Sequence, residues 1–169
     1  MDGGEIATGL PKTILYAGVP EGYDAVVTAQ VAATDADQDV LFVVRDDKRL
    51  AEAVTALNFF SPDLHVLPFP AWDCLPYDRV SPRSDIIAQR VDTLTTLLEQ
   101  NAHGSRIVVA TVAAVLQRIP APSVFQGASL FVSQMDGISR ERLVTFLDHT
   151  GYGRSDTVME PGEYALRGS

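Results

Sequence analysis

Residues 1–118 of this 169-residue chain predict an α/β fold, a parallel sheet with helices on both faces, and residues 119–169 predict a smaller, incomplete α+β piece. Three observations carry that expectation. Short apolar runs at 13–17, 40–44, 64–69 and 106–110 alternate with segments of helical apolar spacing, an order that demands crossover connections and therefore parallel strands. The run Val40-Leu41-Phe42-Val43-Val44 is apolar throughout, as expected of a parallel strand covered on both faces. Ile119-Pro120-Ala121-Pro122 then breaks the alternation, because proline continues neither a central strand nor a helix interior.

Residues 1–11 are Gly-rich and acidic and lack the basic-then-apolar layout of a secretory leader. Residues 13–17 make the first expected strand, ending at Gly18. After a loop over 18–22, Tyr23, Val27 and Val31 recur at i, i+4 and i+8, predicting a helix over 23–34 with that face inward. A polar turn leads to the 40–44 strand. Asp46 or Asp47 then caps a helix whose Leu50, Val54, Leu57 and Phe60 form the expected inner stripe.

The 64–69 strand runs into a loop stiffened by Pro70, Pro76 and Pro82 and carrying the only tryptophan, Trp72, and the only cysteine, Cys74. Trp72, Leu75 and Tyr77 are expected to pin it, with Trp72 buried against the sheet edge or the next helix. Ser84 or Asp85 opens that helix, and Ile87, Val91, Leu94 and Leu98 give its periodic face. The 106–110 strand and a short helix over 112–118 complete the sheet. Beyond the prolines come a strand over 128–133, a turn at Asp136-Gly137, and a helix capped by Ser139 with Leu143, Phe146 and Leu147 inward. Gly151 ends that helix, and strand-like pieces follow near 157–159 and 163–166. Nothing closes this last part, which therefore reads as the start of a second domain.

The formal net charge is −9, and no basic cluster offsets it, which argues against non-specific nucleic-acid binding, where phosphate contacts dominate. No apolar run reaches membrane-spanning length. One cysteine excludes an internal disulfide and fits a reducing cytoplasm. The loop 18–25 sits where a phosphate-binding loop would sit, after a strand and before a helix. That motif needs G-x-x-x-x-G-K-[ST], so that backbone N–H groups, a lysine and a hydroxyl meet the phosphates and Mg²⁺. Counted from Gly18, Tyr23 stands for the second glycine, Asp24 for the lysine and Ala25 for the hydroxyl. A carboxylate at the lysine position, with Glu21 beside it, repels a triphosphate, so no cofactor is expected here.

Asp46-Asp47 loosely resembles a Walker B pair, but the amphipathic run that starts at Lys48 favours helix capping. His65, His103 and His149 lack metal-ligand spacing. Cys74 has no base near it in sequence and reads as a structural thiol. Asp73, Asp78 and Asp85 read as turn and cap acceptors, and Arg79, Arg83 and Arg90 as solvated or paired cations. On spacing alone Glu163, Ala165 and Arg167 share one face of a strand-like piece, and Arg167 is an ordinary exposed charge.

Two stretches carry a family likeness. Trp72, Asp73, Leu75, Pro76, Tyr77, Asp78, Ser81, Pro82, Asp85, Ile86, Ile87 and Arg90 resemble the signature near the N-terminus of bacterial transcription-repair coupling factors. The run Val158-Met159-Glu160-Pro161-Gly162-Glu163-Tyr164-Ala165-Leu166-Arg167-Gly168 resembles a second segment of that family, in the expected order. The resemblance implies a degenerate P-loop, RecA-like domain similar to the first domain of the excision-repair subunit UvrB, over 1–118. It implies the beginning of the UvrA-binding domain over 119–169. It further implies a catalytically silent cytoplasmic module that helps recruit UvrA to RNA polymerase stalled at DNA damage. ATP and Mg²⁺ would belong to a distant C-terminal motor, and polymerase and DNA would bind through other domains. Arg167, with Glu163 and Tyr164, would face UvrA. The alternative is an enzyme: a small nucleotide-binding α/β ATPase, or a UvrB-type helicase half.

Overall fold

The computed structural model describes residues 13–34, 38–75, 77, 79–98, 105–125, 129–130, 132 and 137–167. Three strands, β1 (Val40–Val44), β2 (His65–Phe69) and β3 (Arg106–Thr111), form an all-parallel sheet in the order β1-β3-β2. The register runs from Val40 opposite Ile107 to Val44 opposite Thr111 on one side of β3, and from His65 opposite Arg106 to Phe69 opposite Ala110 on the other. Alternation along β3 divides the core. Ile107 and Val109 join Ala25, Ala29 and Ala32 of α1 (Tyr23–Thr34) and Leu50, Ala53 and Leu57 of α2 (Asp47–Phe60). Ala110 and Val108 turn to the opposite face, with Phe69, Leu94 of α3 (Ser84–Leu97) and Ala114 of α4 (Val112–Leu116). Fully burying a side chain such as Ile107, Val109 or Leu57 stabilises the fold by about 1.5–3 kcal/mol each.

The inward faces of α1, α2 and α3 differ from those expected. The buried stripe of α1 is Ala25, Ala29 and Ala32, while Tyr23 and Val31 are exposed. Alanine at the contact lets α1 lie close to both the sheet and α2, and a tyrosine there would hold it off. In α2 the stripe is Leu50, Ala53 and Leu57, and Phe60 is exposed, its ring edge-on to that of Phe59. In α3 the buried residues are polar: Arg90, Thr93 and Thr96 lie inside, and Ile87 and Val91 outside. The reason is β2, an edge strand containing Pro68. Its outward carbonyl needs a donor, and the Thr93 hydroxyl supplies one at 2.7 Å.

Residues 13–17 form no strand, and Ile14, Leu15 and Tyr16 are exposed. An apolar run becomes a strand only where it is hydrogen-bonded into a sheet, and among the described residues β1 pairs with β3 alone. Nor is β1 covered on both faces. Its Leu41 and Val43, on the α3–α4 side, are 58% and 43% exposed because α3 lies over β2.

The expected side-chain caps form at α2 and at α5 (Arg140–His149), whereas α3 starts at Ser84 with no side-chain cap. The Asp46 side chain accepts from the Arg49 N–H at 2.9 Å, and Thr111 caps α4. Ser139 caps α5, and Gly151, at φ 87°, ends it. A two-residue parallel pairing follows, β4 (Gly153–Arg154) with β5 (Glu163–Tyr164). Residues 157–159 are not a strand, because the Glu163 carboxylate takes the Met159 and Glu160 N–H groups at 2.8 and 3.3 Å. Leu143 of α5 is exposed rather than inward, and Phe146 and Leu147 are half-buried. Of the expected 128–133 strand, residues 129, 130 and 132 are non-strand and the others lie outside the described residues, as does Asp136 of the expected turn.

At the start of the sheet Asp39 accepts three bonds from Arg106: from the backbone N–H at 3.2 Å, Nε at 2.9 Å and Nη2 at 2.7 Å. The guanidinium bonds hold the Asp39 carboxyl below its ordinary value of 3.8, against a smaller opposing push from burial. A depressed carboxyl contributes stability that is present above its unfolded value and lost as pH falls through the folded one. Urea midpoints measured downward from pH 5 should therefore decline less steeply in Asp39→Asn than in the parent chain. Parallel declines would show that this pair is not linked to folding.

Candidate functional site

Gly18 and Gly22 take φ of 72° and 92°, a backbone region that glycine enters without strain. The Tyr23 N–H donates to the Pro20 carbonyl at 3.0 Å and closes the loop onto α1. Asp24, in the first turn of α1, is not the free, repelling carboxylate its position suggests. From the first turn of α2 the Arg49 guanidinium reaches across, with Nη2 2.6 and 2.5 Å from the two Asp24 oxygens. The Arg49 side chain is 12% exposed, and the Asp24 carboxylate stabilises its charged form further. The Ala25 N–H, which a bound phosphate would need, donates to Asp24 Oδ1 at 3.0 Å, and Ala25 itself is buried in the core. Tyr23, Asp24 and Ala25 thus begin α1 directly after the 18–22 loop, and the Arg49 cation beside them is already engaged by Asp24.

The second site is the Trp72 loop. The Arg90 Cζ lies 4.1 Å from the Phe69 ring centroid and 4.3 Å from that of Trp72. Arg90 is buried, and its Nη1 donates to the Pro70 carbonyl at 2.6 Å and to Gln117 Oε1 at 3.3 Å. That same oxygen accepts the Trp72 N–H at 3.1 Å. Nε of Arg90 has no hydrogen-bond partner among the described residues, and burial pushes the guanidinium pKa down. The expected anchor, Trp72, is half-buried, packed on an arginine from the next helix. Tyr77 does not help to pin the loop, being 97% exposed, and Leu75 is exposed as well. Pro76 and Asp78 lie outside the described residues. Asp73 accepts from the Arg83 N–H, as a turn carboxylate does, whereas Asp85 pairs with the Arg83 side chain and is not the expected cap, α3 having no side-chain cap. Between this loop and α4 runs an open groove of about 1050 Å³, lined in part by Cys74, Leu75, Val80 and Leu116.

The third site is the C-terminal signature. Tyr164 is buried and donates its hydroxyl to Asp148 Oδ1 at 2.7 Å, which raises the phenol pKa. Glu163 is half-buried and holds the turn before it. Arg167 is the outward-facing charge of the three, with Nη2 3.1 Å from Thr157 Oγ1. Because β5 stops at Tyr164, strand alternation does not extend to Arg167.

Sequence reasoning missed Arg49, Phe69 and Gln117. The first lies 25 residues from its partner, and the other two do their work through tertiary contacts. Among the described residues no group of three or more His, Cys, Asp or Glu side chains could hold a metal ion, and no helix is long and apolar enough to cross a membrane.

No protein-family model matches the chain. It is 33% identical over 147 residues to the transcription-repair-coupling factor of Escherichia coli K12, covering 86% of this chain and 12% of that protein. It is 30% identical over 155 residues to the transcription-repair-coupling factor of Haemophilus influenzae Rd, covering 92% and 13%. To the protein of that name from Bacillus subtilis 168 it is 26% identical over 157 residues, covering 93% and 13%. The chain therefore spans about an eighth of the length of the curated relatives it matches.

Proposed function

This chain belongs to the transcription-repair-coupling factor family, and we propose that it serves there as a catalytically silent binding module that helps bring UvrA to RNA polymerase stalled at DNA damage. The observation that carries this reading is the match over 86% of the chain to a factor whose name states the coupling of transcription to repair. On this reading residues 1–118 are a UvrB-like, RecA-type domain with a degenerate P-loop, and residues 119–169 begin the UvrA-binding domain. The setting is the bacterial cytoplasm. ATP hydrolysis, DNA translocation and polymerase contact fall to other parts of the longer protein. The paired state of Asp24 and Arg49 supports silence, because the start of α1 offers a phosphate neither the Arg49 cation nor the Ala25 N–H, both of which Asp24 already holds. It also speaks against the alternative of a nucleotide-binding ATPase.

Arg167 is the residue through which the reading is tested, since it presents a planar fork outward beside the buried Tyr164. Truncating one partner of an interfacial charge pair costs about 2–5 kcal/mol, or roughly 30-fold to several thousand-fold in affinity. Capture of purified UvrA by immobilised chain, in this form and extended to the end of the second domain, is expected to fall by at least that much in Arg167→Glu. A circular-dichroism melt verifies that the fold survives. Undiminished capture by a folded Arg167→Glu chain would remove Arg167 from the interface, and no capture by either length would remove UvrA from the proposal.

A further inference from the structure

We propose that the Asp24 carboxylate is a built-in substitute for a phosphate group, seated on Arg49 between the first turns of α1 and α2, so that the start of α1 is closed to a phosphate from within. The inference rests on the silent-module reading and supplies the means by which the silence is kept. Three features of the molecule carry it.

One guanidinium nitrogen, Nη2 of Arg49, meets both oxygens of Asp24, a charge-assisted contact that it can offer equally to two oxygens of a phosphate. The seat is also built for an anion by its surroundings. Helices α1 and α2 pack on the same sheet face, and the first turn of each supplies one partner of the pair, so two positive helix ends flank it. Finally, the cation is largely withdrawn from water. With its side chain 12% exposed, Arg49 needs a close counter-charge. The other acids nearby do not replace Asp24. Glu52 meets Nη1 only at 3.4 Å from an exposed position, Asp46 is engaged by Arg45 and the Arg49 N–H, and Glu21 contributes at longer range. Neutralising Asp24 therefore leaves a seat with its cation in place, its helix ends aligned and the Ala25 N–H released.

The test compares thermal melts of the parent chain, Asp24→Asn and Asp24→Asn/Arg49→Gln, with sodium pyrophosphate added against sodium chloride of equal ionic strength. The parent melt should respond equally to both salts. Asp24→Asn should melt about 2–8 °C lower in chloride and regain at least half of that loss in millimolar pyrophosphate. The double variant should show no pyrophosphate-specific gain. If Asp24→Asn does not fold in chloride, folding recovered by pyrophosphate alone is the same result, and failure to fold in both salts overturns the proposal. It is equally overturned if Asp24→Asn responds alike to the two salts, if the double variant gains as much as the single one, or if the parent gains from pyrophosphate. Calorimetry of the parent with Mg-ATP separates the two levels of the argument. Saturable heat would sink the silent-module reading itself, whereas a silent parent beside an unresponsive Asp24→Asn sinks the substitute alone.

Discussion

Arg90→Ala is expected to destabilise the chain by about 3–5 kcal/mol, the range for large truncations in a packed core. The side chain gives up contacts with two aromatic faces, at 4.1 and 4.3 Å, each contributing about 0.5–2 kcal/mol. It also gives up a charge-assisted bond to the Pro70 carbonyl, about 1.5–3 kcal/mol, and leaves that carbonyl without its donor. Relief of the cost of burying a guanidinium without a hydrogen bond at Nε offsets part of this, which is why the sum stays within the range given. Arg90→Met, which keeps most of the volume and drops the charge, divides packing from hydrogen bonding and should lie between the parent and alanine. Urea midpoints provide the energies. Trp72 emission provides the location, because losing the stack releases the loop and shifts the spectrum toward that of a water-exposed indole. An unchanged midpoint together with an unchanged spectrum would mean that the loop is held elsewhere.

Amide hydrogen exchange should separate the molecule into two regimes. The β3 amides from Ile107 to Ala110 lie between two parallel partners, with side chains buried on both faces, and should exchange only through global opening. The β4–β5 pairing is two residues long, α5 has no buried residue, and Tyr164 is the buried side chain of that ladder. So little buried apolar area offsets little chain entropy, and these amides should exchange at least roughly 100-fold faster than those of β3. Equal protection would show that the C-terminal segment opens only with the sheet.

How far the sequence reached depended on which force set each element. The strands at 40–44, 65–69 and 106–111 were legible because short apolar runs flanked by turn residues have one economical solution in an α/β chain. The Asp46 and Ser139 caps were legible because capping is local. The inner face of α3 was not, since apolar periodicity points to Ile87 and Val91, while the helix turns inward the side chains that can donate to the carbonyls of Pro68 and Pro70. The small-residue stripe of α1 was hidden for a related reason, as alanine scores weakly beside tyrosine and valine yet permits the closest approach. At the candidate sites, glycines, prolines and the tryptophan marked the right loops. The partners that decide their chemistry, Arg49 for Asp24 and Gln117 for Trp72, lie 25 and 45 residues away, where no local pattern points.

The strand order β1-β3-β2 bears on how the chain is made on the ribosome. Among the described residues the first two strands do not pair with each other, and both pair with the third, which ends at Thr111. At about 5–20 residues per second, roughly 3–13 s pass between synthesis of Val44 and synthesis of Thr111. Throughout that interval the observed sheet cannot form, and its two earlier apolar strands emerge without the strand they pair with. Sheet assembly is therefore a late step whose timing is set by translation of the 106–111 stretch, and a holding chaperone acting on the nascent chain would have most to do before that stretch emerges.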